Sequence, residues 1–446
     1  MSPLLTGWGR TAPTAATLVE VSPDGVPALL RSHPDRGVIA RGLGRSYGDA
    51  AQNAGGTVIA PIAGPTTVRD ADDGTVLVTA AAGTSLHELM GDLLSRHLFV
   101  PVTPGTRYVT VGGALAADIH GKNHHRDGSF GDHVVELELV TPDGRVRTIG
   151  PGADADLFWA TVGGMGLLGV VTRVTFRALP VESAYVRVHT ERVPGLEALL
   201  RTMREHDDEF RYSVAWIDTL ARGRALGRSV LTRGDHAPAA ELTGAAARHP
   251  WRAPGDPRVA IPATPPVGLV TRVGVRAFNE LWYRRAPRRR VDLQPIPAFF
   301  HPLDLVEGWN RLYGRRGLVQ YQLVVPDTAE VAVESALRLL SDAGHPSFLA
   351  VLKRFGAGNP GLLSFPMPGW TLALDLPGGP ALAPLFRALD ELVVEAGGRV
   401  YLAKDSRLAP ATFDRMYDRA EEFRKLRREL DPDGVLRSDL ARRLDL

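Results

Sequence analysis

The decapeptide RGLGRSYGDA, residues 41–50, follows the apolar run GVIA and constrains the fold more than any other stretch of the chain. Three motif patterns overlap it. Gly42 and Gly44 supply the G-x-G of a dinucleotide fingerprint, which also needs a small residue three positions on and a helix to receive the pyrophosphate. Tyr47 occupies that position, and the following DAAQNAGGTV carries no helical apolar stripe, so the Rossmann reading fails in this context. Gly44, Ser46 and Gly48 also fit G-x-S-x-G, but a nucleophile elbow requires the same missing helix. Two readings remain. One is an anion nest, in which backbone N–H groups and the Ser46 hydroxyl hold a phosphate or pyrophosphate. The other is an ordinary glycine turn between two strands.

A chain of 446 residues suggests two or three domains with a substantial core. There are 52 Lys and Arg against 50 Asp and Glu, so no basic field argues for nucleic acid. Cysteine is absent, which excludes disulfides, zinc–thiolate sites and thiol nucleophiles. The stretch MSPLLTGWGRTAPTAATLVE has neither a basic n-region nor a sustained apolar core, and no uncharged apolar run has spanning length. The expectation is neither signal peptide nor transmembrane helix, with the chain cytoplasmic or peripheral to the plasma membrane.

The elements read as mixed α+β. Residues 36–62 give strand, glycine turn, strand, and TVLVTAAAG gives another strand. Ser85 and Glu88 form a capping box ahead of Leu86, Leu89, Met90, Leu93 and Leu94, spaced as one helix face. VVELELVTPDGRVRTI reads as a hairpin, and DADLFWATVGGMGLLGVVTRVTFRAL as helix, glycine loop and strand. FLAVLKRF, WTLALDL and RVYLAK read as strands, with an amphipathic helix FRALDELVVEAG between the last two. The character changes near residue 183, which gives segments 1–182, 183–398 and 399–446. Residues 234–268 are rich in Pro and Ala, and the stretch of about 234–290 is expected to be a mobile excursion.

The densest cluster of reactive side chains is PVTPGTRYVTVGGALAADIHGKNHHRDGSFGDH. It places Gly105, Thr106, Gly112 and Gly113 just before Asp118, His120, Lys122, His124 and His125. Two glycine-rich turns in one domain suit a long diphosphate ligand. His120 and His124 have zinc-chelating i, i+4 spacing, but Gly121 interrupts a helix and no third ligand is fixed. Zinc, a structural histidine cluster and a cofactor-site role for His120 all stay open. Lys404 in YLAKDSR ends a predicted strand, as a tuned base or as a surface lysine paired with Asp405. Gln320 and Gln322 share one strand face, and Lys353 ends another strand. ELWYRRAPRRR joins Trp282 and Tyr283 to Arg284, Arg285, Arg288, Arg289 and Arg290, which suits an anionic lipid surface, a phosphate or plain solvation. No helical moment there calls for an inserting helix.

RGLGRSYGDA, PVTPGTRYVTVGGALAADIHGKNHH, FWATVGGMGLLGVV, FFHPLD, GLVQYQ, SFPMPGW and YLAKDSR together resemble the vanillyl-alcohol oxidase and para-cresol methylhydroxylase family of flavoproteins. Within it they are similar to the branch that oxidises decaprenylphosphoryl-β-D-ribose, and the likeness spans almost the whole chain. The resemblance implies an FAD domain split between residues 1–182 and 399–446, and a central antiparallel-sheet substrate domain over 183–398. It implies that Arg41, Gly42, Leu43, Gly44, Arg45, Ser46, Tyr47, Gly48 and Asp49 wrap the FAD diphosphate. Gly105, Thr110, Val111, Gly112, Gly113, Ala117, Asp118, Ile119 and His120 complete that bed, and Val171 and Tyr401 contact the flavin. Relatives with covalent FAD often carry histidine where this chain has Arg45, so FAD is expected to be non-covalent.

The implied reaction oxidises the ribose 2-hydroxyl to a 2-keto sugar, the first half of epimerisation toward the arabinose donor of cell-wall arabinan. A separate NAD(P)H-dependent reductase would complete it. By resemblance Lys404 is the essential catalytic residue, with His120 and Tyr47 beside it, and Lys122, Phe300, Gln320, Gln322, Lys353, Thr371 and Ala373 line the substrate pocket. Two departures stand out. Mycobacterial members carry asparagine and cysteine where this chain has Thr371 and Ala373, and Phe300 replaces a tyrosine. The competing expectations are a same-fold oxidase acting on a soluble polyol or aldonolactone, and a non-catalytic lipid-phosphate-binding protein.

Overall fold

The computed structural model describes residues 3–252 and 259–446. Its first sheet has three parallel strands, with Thr57–Ile59 between Thr17–Val19 and Val38–Ala40. Neighbouring parallel strands need a crossover, which is usually a helix. Here residues 41–56, containing the glycine stretch, make that crossover without helix or strand. A second sheet is antiparallel, in the order Val146–Ile149, Val134–Val140, Val170–Arg177, Val76–Ala81, Thr67–Asp70. Ser85 caps Leu86–Leu94 through the expected reciprocal box with Glu88, and the five predicted apolar positions are all buried. Each such side chain contributes about 1.5–3 kcal/mol relative to exposure.

The large sheet is antiparallel throughout. Its order is Arg289–Pro295, Tyr185–Val193, Ser229–His236, Tyr212–Ile217, Ala350–Phe355, Gly369–Pro377, Leu318–Pro326, Arg399–Val400. Alternation along the strands sorts side chains to two faces. One face carries Ala215, Ile217, Leu231, Tyr321, Leu323 and Leu352, all buried. Tyr321 shows what covers it: its hydroxyl donates to Asp390 Oδ1 at 2.9 Å and its ring stacks on Phe386, both on helix Ala383–Glu395. The other face carries Val214, Trp216, Val230, Thr232, Gln320, Gln322, Val351, Lys353 and Ala373, and all of these border one cavity. The fold is therefore mixed α+β, with a large antiparallel sheet whose second face is a cavity wall.

Three expectations change. The strand expected to end at Lys404 stops at Val400, and residues 401–405 form a turn in which Lys404 N–H donates to the Tyr401 carbonyl at 2.9 Å. The arginine-rich stretch is not a loop, since helix Arg272–Arg285 runs into it and strand Arg289–Pro295 leaves it. That helix buries only Val275 and Asn279, and Asn279 donates to Asp218 Oδ1 at 2.7 Å. A narrow, partly polar inner stripe explains why no apolar period announced it. Of the excursion, residues 253–258 lie outside the described residues, and Val259–Ala260 pairs with Val306–Glu307.

The C-terminal segment packs against the first sheet. Val38 N–H donates to the Val435 carbonyl at 2.7 Å, and Arg437 N–H donates to the Val38 carbonyl at 2.9 Å. Arg443 then bridges two loops, donating to both Asp49 oxygens and to Asp405 Oδ2, each at 2.8 Å. Asp405 is the lysine's neighbour in sequence, so the tempting Lys404–Asp405 surface pair is replaced by an arginine clamp.

Candidate active site

A single cavity of about 1700 Å³ joins the glycine crossover, the 103–122 segment and the polar face of the large sheet. Ordinary ligand pockets hold about 300–1,000 Å³, so this one has room for a dinucleotide and a second ligand. Arg41 borders the cavity and also holds backbone. Its guanidinium donates to the Ala51 carbonyl at 3.0 Å and the Thr6 carbonyl at 2.6 Å, pinning the loop. Gly44 has φ +65°, and a Cβ there would lie 2.3 Å from that guanidinium. The two glycine segments touch where a Cβ on Gly42 would lie 2.4 Å from Thr110 Oγ1. Thr110 caps Val111–Ala116, accepting from Gly113 N–H at 3.1 Å. Arg45 stacks 4.1 Å over the Trp8 ring and 5.6 Å from Tyr108.

Most of the expected cofactor residues reach the wall. Arg41, Gly42, Leu43, Gly44, Arg45, Ser46 and Tyr47 border the cavity, as do Gly105, Thr110, Gly112, Gly113, Ala117, Ile119, His120, Val171 and Tyr401. Gly48, Asp49, Val111 and Asp118 do not. Gly48 lies against the Asp405 backbone, Asp49 turns to Arg443, and Val111 packs in the core. Asp118 is a buried anchor that accepts from Ser129 Oγ at 2.8 Å, Asn359 Nδ2 at 2.8 Å, Gly131 N–H at 3.0 Å and the Ser364 hydroxyl. Burial pushes its carboxyl up, and those four donors pull it back.

At the other end lie Lys122, Phe300, Gln320, Gln322, Lys353, Ala373 and Lys404. Thr371 stands behind them, donating to the Leu323 carbonyl at 2.8 Å and accepting from the Gln322 amide at 3.2 Å. Phe300 is buried in an aromatic cluster, 4.8 Å from Tyr212 and 5.6 Å from Phe99. The same Gln322 amide meets His120 Nε2 at 2.8 Å. Burial, then Lys353, His124 and Lys404, hold His120 far below its ordinary range. A neutral ring that accepts at Nε2 carries its proton on Nδ1, which has no partner among the described residues. Among the described residues no three metal-ligating side chains are brought together; His120 and His124 instead pack on Phe355, at 4.8 and 4.3 Å.

The chain has only four lysines, and three of them, Lys122, Lys353 and Lys404, border this cavity. Arginine stays charged everywhere, whereas a buried lysine can be neutralised. Burial, helped by Lys353, lowers Lys122 to about 7. Burial, helped by Lys404, lowers Lys353 to about 7. Burial lowers Lys404 to about 8, against the opposing pull of Asp375. Lys122 Nζ donates to the Phe299 carbonyl, and Lys404 Nζ sits 4.1 Å from the Tyr47 ring centroid. Asp375 was not singled out by sequence reasoning. The available signal was a carboxylate in the apolar run WTLALDL, on the same strand face as Ala373.

An FAD-binding domain model matches residues 21–150, and a D-arabinono-1,4-lactone oxidase model matches residues 377–444. The chain is 45% identical to decaprenylphosphoryl-β-D-ribose oxidase of Mycolicibacterium smegmatis, over 99% of this chain and 97% of that one. The chain belongs to the decaprenylphosphoryl-β-D-ribose oxidase family. It is also 24% identical to L-gulono-1,4-lactone dehydrogenase of Mycobacterium tuberculosis, over 100% of this chain and 99% of that one. Membership makes it an FAD-dependent oxidoreductase, and the first end of the cavity fits that cofactor. The backbone N–H groups of Gly42, Leu43, Gly44, Arg45 and Ser46 find no acceptor among the described residues. A Cβ on Gly105 would meet nothing within 4 Å, so the wall is open there. A row of free donors beside open space is what a diphosphate requires.

Proposed function

We propose that this chain oxidises the 2-hydroxyl of decaprenylphosphoryl-β-D-ribose to the 2-keto sugar, with FAD held non-covalently. The observation that carries the reading is the concentration of tunable lysines at the end of the cavity away from the diphosphate bed. The alcohol must lose a hydride and a proton, and bound FAD supplies the hydride acceptor. Lys404 takes the proton, because its lowered affinity leaves a usable neutral fraction near pH 8. Gln320 and Gln322 orient the sugar, the Gln322–His120 pair bounds it, and Lys122 and Lys353 balance the substrate phosphate. Residues 1–182 with 399–446 serve as the FAD-binding unit and 183–398 as the substrate unit. A separate reductase acts on the product. Arg45, where covalent relatives often carry histidine, supports release of intact FAD on denaturation.

An absorption spectrum before and after denaturation, followed by anaerobic short-chain polyprenylphosphoryl ribose, tests this. The expected result is released flavin in the first step and bleaching in the second. Bleaching by free sugar alcohols or lactones instead would favour the second reading, a soluble-polyol or lactone oxidoreductase, which the match over residues 377–444 supports. Protein that stays colourless after FAD reconstitution would overturn both.

A lipid-linked substrate also needs a meeting place with the bilayer. Among the described residues no helix is long and apolar enough to cross a membrane. Val267, Leu269, Val273, Leu281 and Trp282 are exposed in one stretch, followed by Arg284, Arg285, Arg288, Arg289 and Arg290. Trp282, Arg285 and Arg290 also border the cavity, which supports peripheral contact at its mouth. Sedimentation with anionic vesicles should show binding at low salt that fades at high salt. Replacing Arg288, Arg289 and Arg290 by Ala should remove about 1 kcal/mol for each. No binding at low salt would remove the patch from the mechanism.

A further inference from the structure

Asp375 lies on Gly369–Pro377 directly opposite Gln320 on Leu318–Pro326. It is fully buried and does not border the cavity. The Gln320 side-chain N–H donates to Asp375 Oδ1 and also approaches the Tyr47 hydroxyl at 3.2 Å. Tyr47 in turn offers its ring face to Lys404 Nζ. Asp375 Oδ2 has no partner among the described residues. A carboxylate buried with an unpaired oxygen is costly, and an apolar residue would extend this strand at lower cost. Burial pushes the Asp375 carboxyl up, Gln320 and then Lys404 pull it back, and Asp375 in turn opposes the loss of the Lys404 proton.

We propose that Asp375 is a positioning residue for the oxidation, fixing the Tyr47 hydroxyl through Gln320 and setting the protonation of Lys404 by its charge. This rests on Lys404 as the proton acceptor. Other titratable groups face the pair. Tyr47 from the glycine crossover and Tyr313 from Trp309–Tyr313 are kept neutral by burial. His120 is also neutral, and Lys353 on the adjoining strand is itself lowered by burial and by Lys404. The counter-charge acting on the Lys404 amine is therefore Asp375.

With four lysines in the chain, ¹³Cε-lysine labelling of the FAD-loaded protein resolves the Lys404 titration, assigned by its absence in Lys404→Met. Removing the carboxylate leaves desolvation unopposed, so in Asp375→Asn the Lys404 signal should titrate about one pH unit lower than in the unaltered protein. The rising limb of kcat against pH should move with it, and KM should stay within about twofold, as expected for a residue that does not touch substrate. Gln320→Leu, which breaks the link to the Tyr47 hydroxyl, should lower kcat by roughly tenfold. If Asp375→Asn loads FAD poorly, Asp375→Glu keeps the charge and should hold Lys404 near its original value. An unmoved Lys404 signal in Asp375→Asn, or a kcat loss without a shifted limb, overturns the proposal. Because the titration needs no substrate, its outcome is separate from which sugar is oxidised.

Discussion

Lys404→Met is expected to slow substrate-driven flavin bleaching by about 10²- to 10⁴-fold, the range supplied by a positioned proton acceptor, while FAD stays bound. Methionine keeps the length and the buried stem but has no basic nitrogen, and the residue lies beside the Tyr47 ring on the cavity wall. The acceptor must be neutral, and burial lowers its amine to about 8 against the pull of Asp375. The unaltered rate should therefore climb as pH rises through about 8, and that limb should vanish in the variant. The linked effect on stability has a definite sign. Unfolded lysine titrates near 10.5, so between that value and about 8 the unfolded chain binds more protons and stability rises with pH. Anaerobic stopped-flow absorbance from pH 6 to 10 reads the first effect. Bleaching within tenfold of the unaltered rate would remove Lys404 from the chemistry.

Gly48→Ala should cost the protein its FAD. Gly48 is not on the cavity wall, yet a Cβ there would lie 1.8 Å from the Asp405 carbonyl oxygen, so one backbone must retreat from the other. Those two segments carry Tyr47 and Lys404, whose Nζ lies 4.1 Å from the Tyr47 ring centroid. Tyr47 N–H donates to the Ala403 carbonyl at 2.9 Å, one residue before Lys404. Overpacking of this kind costs about 1–3 kcal/mol, and here it falls on the loop whose N–H groups find no acceptor among the described residues. Absorbance at the flavin band and thermal unfolding would report both losses. An alanine variant with full flavin content and unchanged activity would mean that the crossover tolerates the separation.

What the sequence revealed follows from which forces are local. The Ser85–Glu88 box and the apolar spacing behind it are read within ten residues, and the helix forms as they dictate. The alternation of Gln320 and Gln322 likewise sends both to one face. The glycine crossover could be stripped of its Rossmann reading because the missing helix is a local fact. Asp375 escaped notice because its contacts lie far away in sequence, in Gln320 across a strand pair and in the charge of Lys404. Helix Arg272–Arg285 escaped because it buries only a polar Asn279 and one valine, so periodicity had little to report. The strand that stops at Val400 failed to reach Lys404 because the turn after it closes on its own backbone, with Lys404 and Asp405 both bonded to the Tyr401 carbonyl.

The Arg443 clamp also sets a timetable. Asp49 and Arg443 are 394 residues apart, so the glycine crossover is translated long before the group that braces it. At about 5–20 residues per second, synthesis separates the two by roughly 20 to 80 s. During that interval the nascent first sheet also lacks the Val435–Arg437 backbone that completes its edge at Val38. The glycine crossover thus stays unbraced at Asp49 until nearly the whole chain has been made.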